Sequence, residues 1–310
     1  MSEPAEKILP VEEPAGVDPP GLPPPARGGS RLADAAPWIA ALVGGVGGIG
    51  YLGYLRGRYQ HSTVFLPGRY PDGVWDPGIH GLGTEDVWFR SADGVALHGW
   101  WIAHPRPRGT LLYCHGSSGS IAHRVEVFRQ LAKLRMNVFA FDYRGYGRSE
   151  GVPSERGLYA DARAAYDHLV DERGASAAEI VLFGHSLGGA VAIETARARA
   201  AAGLVLQSTF TDLKDMARSI YPQLPLHWVT RNQFRSIEKV AELTLPKLFI
   251  HGTEDRTVPL AVGRRLFEAA AAPKDLYLVE RADHNDVHLQ GGAAYVRRLE
   301  RFRRACLQAA

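Results

Sequence analysis

The chain has 310 residues, of which 45% are hydrophobic and 22% are charged, and its formal net charge is +3. This apolar content excludes a wholly disordered protein, and the length suits one large domain or two small ones. The two cysteines cannot form a disulfide framework, and no C-x-x-C pair indicates a thiolate metal site. No basic run is present either, so nucleic acid is not an expected partner.

The first 37 residues differ in composition from the rest of the chain. Residues 1–37 contain nine prolines, and six acidic side chains stand against three basic ones. Few of the other side chains are large and apolar, so the segment buries too little surface to offset the entropy of ordering it. We predict a disordered, locally extended tail that acts as a spacer.

An uncharged segment follows directly. Residues 38–55 read WIAALVGGVGGIGYLGYL, and as a helix these 18 residues would cover about 27 Å, close to the hydrocarbon thickness of a bilayer. A flexible glycine linker and a signal peptide are the alternatives, but a long acidic region precedes the segment and no small-residue cleavage site follows it. We predict a single transmembrane helix. Three arginines after it, against two before it, favour a cytoplasmic catalytic domain.

After a predicted linker over residues 56–83, short apolar runs alternate with helical patterns to the end of the chain. The predicted strands are a hairpin of Asp86–Arg90 with Val95–Ala103, then Thr110–His115, Asn137–Tyr143, Glu179–Gly184, Gly203–Ser208, Lys247–Gly252 and Asp275–Glu280. The predicted helices are Ile121–Arg135, Ser154–Arg173, Leu187–Ala200, Leu260–Ala271 and Gly292–Leu307. This alternation predicts an α/β fold over residues 84–310, a mostly parallel sheet with helices on both faces.

The sequence Gly184-His185-Ser186-Leu187-Gly188 stands between a buried apolar strand and an alanine-rich helix. This is the pattern of a nucleophile elbow, a sharp turn that strains the backbone at the serine and lifts its hydroxyl above the sheet. The flanking glycines are needed because a Cβ atom there would collide with a neighbouring element. We therefore predict Ser186 as a nucleophile.

A serine nucleophile needs a base, and the base needs an acid that orients it. Asp255 follows the strand Lys247–Gly252, and His284 follows the next strand. Both positions lie at the carboxyl ends of strands, where open parallel sheets bind ligands. We predict Asp255 as the acid and His284 as the base, with Glu254 and Asp283 as rival acids.

Stabilisation of a developing oxyanion needs two backbone N–H donors. One is expected from Leu187, which follows the nucleophile, and the second from the loop after the strand Thr110–His115. Within that loop we favour Ser117, with Ser118 as the alternative. An ordinary serine and glycine turn is the competing interpretation.

Two other patterns do not predict a cofactor site. His284 and His288 are four residues apart, but no glutamate follows His284 and no further zinc ligand is apparent. The glycines of residues 142–151 are not followed by Lys-Ser or Lys-Thr, so this loop fits neither phosphate fingerprint. We expect a structural loop beside the pocket, no metal and no cofactor.

The motifs HGSSGSIAHR, DYRGYGRSEG, LFGHSLGGAVAI, HGTEDRTVP and DHND together resemble the α/β-hydrolase superfamily. The resemblance extends from about residue 84 to the end of the chain and is closest to the membrane-anchored group of α/β-hydrolase domain-containing proteins 13 and 17. It implies that the family's nucleophile, acid and base correspond to Ser186, Asp255 and His284. In the oxyanion loop, where the family usually has His-Gly-Asn-Ala-Gly-Asn, Ser117 and Ser118 replace Asn and Ala.

Serine at the elbow disfavours the dehalogenases and epoxide hydrolases of this superfamily, which have aspartate there. A predicted small lid over residues 210–243 is rich in apolar side chains, which suits an acyl chain or simply packs the lid onto the body. We expect hydrolysis of a small-molecule or lipid ester or thioester near a membrane. A serine peptidase and a non-catalytic scaffold that binds lipid or a partner protein are the alternatives.

Overall fold

The computed structural model describes residues 64–220, Gln223 and 233–307. The predicted tail, residues 1–37, and the predicted membrane helix, residues 38–55, lie outside these described residues. None of the helices in the described ranges is both long enough and apolar enough to span a bilayer.

An eight-stranded sheet forms the centre of the domain. Its strands are β2 (Glu85–Arg90), β3 (Ala96–Ile102), β4 (Thr110–Cys114), β6 (Asn137–Phe141), β7 (Ile180–His185), β8 (Gly203–Gln207), β9 (Lys247–Gly252) and β10 (Lys274–Val279). The spatial order is β10-β9-β8-β7-β4-β6-β3-β2. β3 is antiparallel to both β2 and β6, and all other neighbouring pairs of this sheet are parallel. The carboxyl ends of β4 and β7 to β10 therefore lie at one edge.

Helices cover both faces of this sheet, as the alternation of patterns predicts. They are α1 (Val125–Leu131), α2 (Glu155–Asp171), α3 (Leu187–Ala198), α4 (Leu213–Ile220), α5 (Ser236–Val240), α6 (Leu260–Ala269), α7 (Val287–Gln290) and α8 (Gly292–Leu307). The side chains of α2, α3, α5 and α6 share one core cluster, and those of α1, α7 and α8 share the other. Successive residues of β4 alternate between these clusters, because neighbouring side chains of a strand point to opposite faces. The expected α/β architecture is therefore confirmed.

The region predicted as one helix over 121–135 is divided in two. A 3-10 turn, Ile121–His123, precedes α1. The carboxylate of Asp142 accepts a hydrogen bond from the Ile121 N–H at 2.9 Å, and His123 contacts the Ser120 N–H, so local polar contacts replace the first helical turn. The sequence pattern did not reveal this division because the apolar positions continue through it.

The predicted lid, residues 210–243, is only partly described. Its ends contain α4 and α5, and Phe210 and Leu243 are buried in the core. Residues 221–222 and 224–232 lie outside the described residues, so the lid stays a prediction.

The described part of the predicted linker packs against the domain. Phe65 and Leu82 are 2% and 4% exposed, and the two-residue strand β1 (Leu66–Pro67) pairs in parallel with β5 (Ser118–Gly119). Residues 64–83 are therefore part of the folded unit in the structure. Isolated apolar residues among prolines and glycines have no periodicity, which is why the pattern indicates only a linker here.

Candidate active site

Ser186 lies in the turn between β7 and α3, with a backbone φ of 54° and ψ of −119°. Its N–H donates to the carbonyl of Gln207 at 2.9 Å, and its carbonyl accepts from the Thr209 hydroxyl at 2.8 Å. A Cβ atom at Gly188 would stand 2.0 Å from the carbonyl oxygen of Cys114, so only glycine allows the helix to approach β4 this closely. These contacts hold Ser186 in a left-handed conformation that is costly for a non-glycine residue.

Asp255 and His284 contact each other where the loops after β9 and β10 meet. The Nδ1 atom of His284 lies 2.9 Å from Oδ2 of Asp255 and 3.1 Å from Oδ1, and both residues are 6% exposed. Oδ1 also accepts the N–H groups of Thr257 and Val258. Because a carboxylate can only accept, His284 Nδ1 donates to Asp255, and Nε2 is the ring nitrogen that can act as a base.

The two rival acids do not contact the imidazole ring. Glu254 is exposed, and Asp283 accepts from the N–H groups of Arg256 and His284 at 3.0 and 2.8 Å and from the Arg256 side chain. The backbone N–H and guanidinium of Arg256, followed by the N–H of His284, lower the pKa of Asp283 to about 2. Asp283 therefore stabilises the main chain of this loop, whereas Asp255 orients the ring.

His185, the residue before Ser186, connects the elbow to the His284 loop. The two imidazole rings have their centroids 5.1 Å apart, and His185 Nε2 lies 3.2 Å from the carbonyl oxygen of His284. Ser186, Asp255 and His284 thus all lie at the carboxyl edge of the sheet, with Asp255 and His284 in direct contact.

The predicted oxyanion groups lie beside the elbow. Leu187 is the first residue of α3, and the first N–H groups of a helix have no partner within it. A Cβ atom on Gly116 would stand 3.4 Å from the Cβ of Ser186, which places the loop after β4 beside Ser186. The Gly116 carbonyl accepts from Nδ1 of His115 at 2.7 Å. Since the peptide is planar and trans, the Ser117 N–H points away from His115.

Comparison with known proteins identifies the family of the chain. A family profile described as "Serine aminopeptidase, S33" matches residues 105–238. The α/β hydrolase domain-containing protein WAV2 of Arabidopsis thaliana is 37% identical, over 76% of this chain and 85% of the relative. The chain belongs to the α/β-hydrolase superfamily.

Other relatives and structures support this assignment. This hydrolase is 35% identical to protein bem46 of Schizosaccharomyces pombe, over 76% of this chain and 83% of that protein. It is 34% identical to the α/β hydrolase domain-containing protein 17B of Xenopus tropicalis, over 64% and 67% of the two chains. The structure of the Pyrococcus furiosus esterase Pf2001 shares the fold, with a TM-score of 0.64 at 22% identity over 77% and 97% of the two chains.

In this α/β hydrolase, residues 65–68 lie along the predicted oxyanion loop and are hydrogen-bonded to it. The N–H groups of Leu66 and Gly68 donate to the carbonyls of Ser117 and Gly119 at 2.9 and 3.0 Å. The hydroxyl of Tyr146 donates to the same Ser117 carbonyl at 2.8 Å. We call residues 65–68 the strap. Sequence reasoning missed it because two hydrogen bonds between distant extended segments leave no local pattern.

We expect Leu66→Pro to lower kcat by about tenfold, which corresponds to about 1.4 kcal/mol of transition-state stabilisation. Proline removes the N–H that holds the Ser117 carbonyl, so the loop loses one of its two anchors at that residue. Steady-state kinetics on an ester substrate measure the effect. Leu66→Ala is the matched control, because it keeps the N–H and changes a side chain that is 50% exposed. Equal activity of the two variants would contradict the anchoring role.

A buried pair of polar side chains supports the same loop from inside. Asp142 and His115 are both fully buried, and His115 Nε2 lies 3.5 Å from Asp142 Oδ1. Burial raises the pKa of Asp142 to about 8 and lowers the pKa of His115 to about 3. Both groups are therefore neutral near pH 7, and neutral His115 donates from Nδ1 to Gly116 as described above.

We expect the stability of the protein to fall as pH rises through the pKa of Asp142. The pKa of about 8 in the folded protein lies above the ordinary value of 3.8, so the folded state keeps a proton that the unfolded chain releases. The resulting stabilisation is complete below about pH 4 and is lost as pH rises towards 8. The comparison protein is the Asp142→Asn variant. Its side-chain oxygen can still accept the N–H of Ile121, and its amide cannot ionise.

Urea denaturation of both proteins from pH 5 to pH 9 measures this difference. Relative to the wild type, the variant should gain unfolding free energy from pH 5 to about pH 8, where the difference levels off, and it should be the more stable protein at pH 9. Parallel pH curves for the two proteins would show that Asp142 does not carry this proton.

Proposed function

We propose that this protein is a serine hydrolase that cleaves carboxylic esters or thioesters through an acyl-enzyme. The observation that carries the proposal is the contact of His284 Nδ1 with Asp255 Oδ2 at 2.9 Å, beside an elbow that holds Ser186 at a φ of 54°. A base oriented by a buried acid next to a strained, positioned serine is the arrangement that nucleophilic acyl transfer needs.

In the proposed reaction, Ser186 Oγ attacks the substrate carbonyl and His284 Nε2 takes its proton. The tetrahedral intermediate carries an oxyanion, which the N–H groups of Leu187 and Ser117 stabilise. Loss of one such donor costs about 2.7–4 kcal/mol in enzymes of this kind. The intermediate then expels the alcohol or thiol, which takes the proton from His284. Water, deprotonated by His284, releases the acid and restores Ser186.

The preference for an acyl substrate rests on the apolar composition of the predicted lid, residues 210–243. Of its described side chains, Phe210 is buried and Met216 of α4 packs against the core, so these two attach the lid to the body. Apolar lining with a few placed polar groups is typical of sites that take acyl chains. The esterase of Pyrococcus furiosus, which has the same fold, acts on esters by its name, and this supports the same substrate class here.

Peptide hydrolysis is the second candidate. It is favoured by the description of the matching family profile, a serine aminopeptidase, over residues 105–238. The same three side chains would serve an amide substrate, so the difference lies in what binds beyond the reacting carbonyl.

We also propose that residues 38–55 anchor the enzyme as a single membrane helix, with the catalytic domain on the cytoplasmic side. The support is the run of 18 residues without a charge and the arginines that follow it. Protease treatment of sealed vesicles from expressing cells tests the orientation: in right-side-out vesicles the domain should be protected. Digestion of the domain in those vesicles would show that the orientation is opposite to the one proposed.

Two assays test the proposed activity. The purified full-length protein should react covalently with a fluorophosphonate probe, and p-nitrophenyl acyl esters of increasing chain length should be hydrolysed faster than aminoacyl anilides. Faster hydrolysis of the anilides would favour the peptidase. A protein that never reacts with the probe but binds lipid or a partner tightly would instead be a non-catalytic scaffold.

A further inference from the structure

His185 has a place in this site that the catalytic mechanism does not use. It is the residue within the elbow directly before Ser186, and it is 4% exposed. Its Nε2 atom lies 3.2 Å from the main-chain oxygen of His284, and the two rings lie 5.1 Å apart. The residue next to the nucleophile therefore contacts the residue that acts as the base.

The partner of Nε2 fixes where the proton of the ring is. A carbonyl oxygen can only accept a hydrogen bond, so Nε2 must carry the hydrogen. Burial lowers the pKa of His185 well below its ordinary value, and the positive charge of Arg124 acts in the same direction. The ring is thus neutral, with Nε2 as donor and Nδ1 as acceptor.

The opposite side of the ring faces the oxyanion loop. A Cβ atom on Gly116 would stand 3.2 Å from Nδ1 of His185, and Nδ1 has no hydrogen-bond partner among the described residues. His185 therefore lies between Gly116 on one side and the main chain of His284 on the other. The ring thus lies between the two loops that have to meet the hydroxyl of Ser186, and it is bonded to one of them.

The His284 loop needs such a contact because Asp255 holds only the imidazole end of the residue. The loop turns sharply at Arg281, which has a φ of 60°, and the side chain of Asp283 secures the N–H of His284. The carbonyl of His284 is bound to the elbow itself through His185. Displacement of a reacting group by about 1 Å can cost about 100-fold in rate.

Building on the proposed serine hydrolase activity, we propose that His185 is a positioning residue, whose Nε2–H fixes the main chain of His284 so that the base meets Ser186 Oγ. It takes no part in proton transfer and does not touch the substrate. Through this hydrogen bond, the nucleophile and the base form one unit that keeps its geometry when the surrounding loops move.

A pair of variants separates this role from simple filling of the core. His185→Gln places an amide N–H close to the position of Nε2, whereas His185→Met has similar length and no donor. For a p-nitrophenyl ester we expect His185→Met to lower kcat about 100-fold, with KM within about twofold of the wild type. His185→Gln should recover most of that loss. Thermal denaturation of all three full-length proteins accompanies the kinetics.

The kinetic outcomes decide the proposal. The proposal would be overturned if His185→Met kept the wild-type kcat. It would also be overturned if His185→Met and His185→Gln lost kcat equally while their melting temperatures were the same. Absence of fluorophosphonate labelling in the wild-type protein would overturn the hydrolase activity and this inference with it. Labelling that persists unchanged in His185→Met would overturn only the positioning role.

A second measurement determines the tautomer of His185 in the wild-type protein. Long-range ¹H–¹⁵N correlation spectra of the ¹⁵N-histidine-labelled protein at pH 7 should show a neutral Nε2–H tautomer for His185, assigned by the signal lost in His185→Gln. A ring protonated at Nδ1 alone would exclude the hydrogen bond to His284 and overturn the proposal.

Discussion

Ser186→Ala is expected to lower kcat for an ester substrate by about 10⁶-fold, the size of effect seen when a serine nucleophile of this kind is removed. No other group in the proposed mechanism can form the acyl-enzyme, so covalent labelling by a fluorophosphonate should disappear as well. Serine and alanine are equally restricted at a φ of 54°, so the backbone strain at the elbow does not change. Stability should therefore stay within about 0.5 kcal/mol of the wild type.

The neighbouring strand offers a matched control. Ser208 follows β8, has a φ of 49° and is fully buried, and its hydroxyl has no partner among the described residues. Ser208→Ala makes the same chemical change at the same kind of backbone position, and it should leave both labelling and turnover intact. Labelling that survives in Ser186→Ala would identify another nucleophile and contradict the assignment.

Asp255→Asn should lower kcat by about 10⁴-fold, the effect typical of this substitution in a Ser-His-Asp site. The reason follows from the contacts of the carboxylate. Oδ1 accepts the N–H groups of Thr257 and Val258, so the asparagine oxygen must take this position. The amide NH₂ then faces His284 Nδ1 and needs an acceptor there. The imidazole would carry its proton on Nε2, where it cannot receive the proton of Ser186.

The rival acid Glu254 provides a control for this substitution. Glu254→Gln changes an exposed neighbour and should keep at least half of the wild-type kcat. The pH dependence of kcat/KM in Asp255→Asn adds a second measurement. At high pH, hydroxide can partly replace His284 as the group that takes the proton of Ser186. If Glu254→Gln lost as much activity as Asp255→Asn, the acid of this site would have been assigned to the wrong residue.

Local signals were sufficient to predict the sheet and the strand ends at which Asp255 and His284 meet. The run Ile180–Phe183 is apolar throughout because β7 is covered on both faces, and the glycines after it mark the elbow. Asp255 and His284 each follow a buried strand, and parallel strands bring their carboxyl ends to one edge. In the structure, Nδ1 of His284 lies 2.9 Å from Oδ2 of Asp255. No sequence signal beyond these two strand ends was needed to predict that the residues meet.

The supporting contacts could not be predicted in the same way. The strap binds a loop about 50 residues further along the chain through two backbone hydrogen bonds, which do not depend on side-chain type. The pairing of His115 with Asp142 and of His185 with the main chain of His284 depends on tertiary packing between separate elements. No periodicity or motif records such contacts, because each partner alone is compatible with many neighbours.

The strap gives the proposed membrane anchor a consequence for the distance between the site and a bilayer. If residues 38–55 span the membrane, Leu66 follows the last of them by 11 positions, from 55 to 66. A chain extends at most about 3.6 Å per residue, so this tether reaches at most about 40 Å. Leu66 itself is bonded to the carbonyl of Ser117, which anchors the oxyanion loop at the end of that tether. The predicted site would then lie within about one protein diameter of the lipid surface. An ester in the headgroup region of the nearest leaflet would have only a short distance to travel to Ser186.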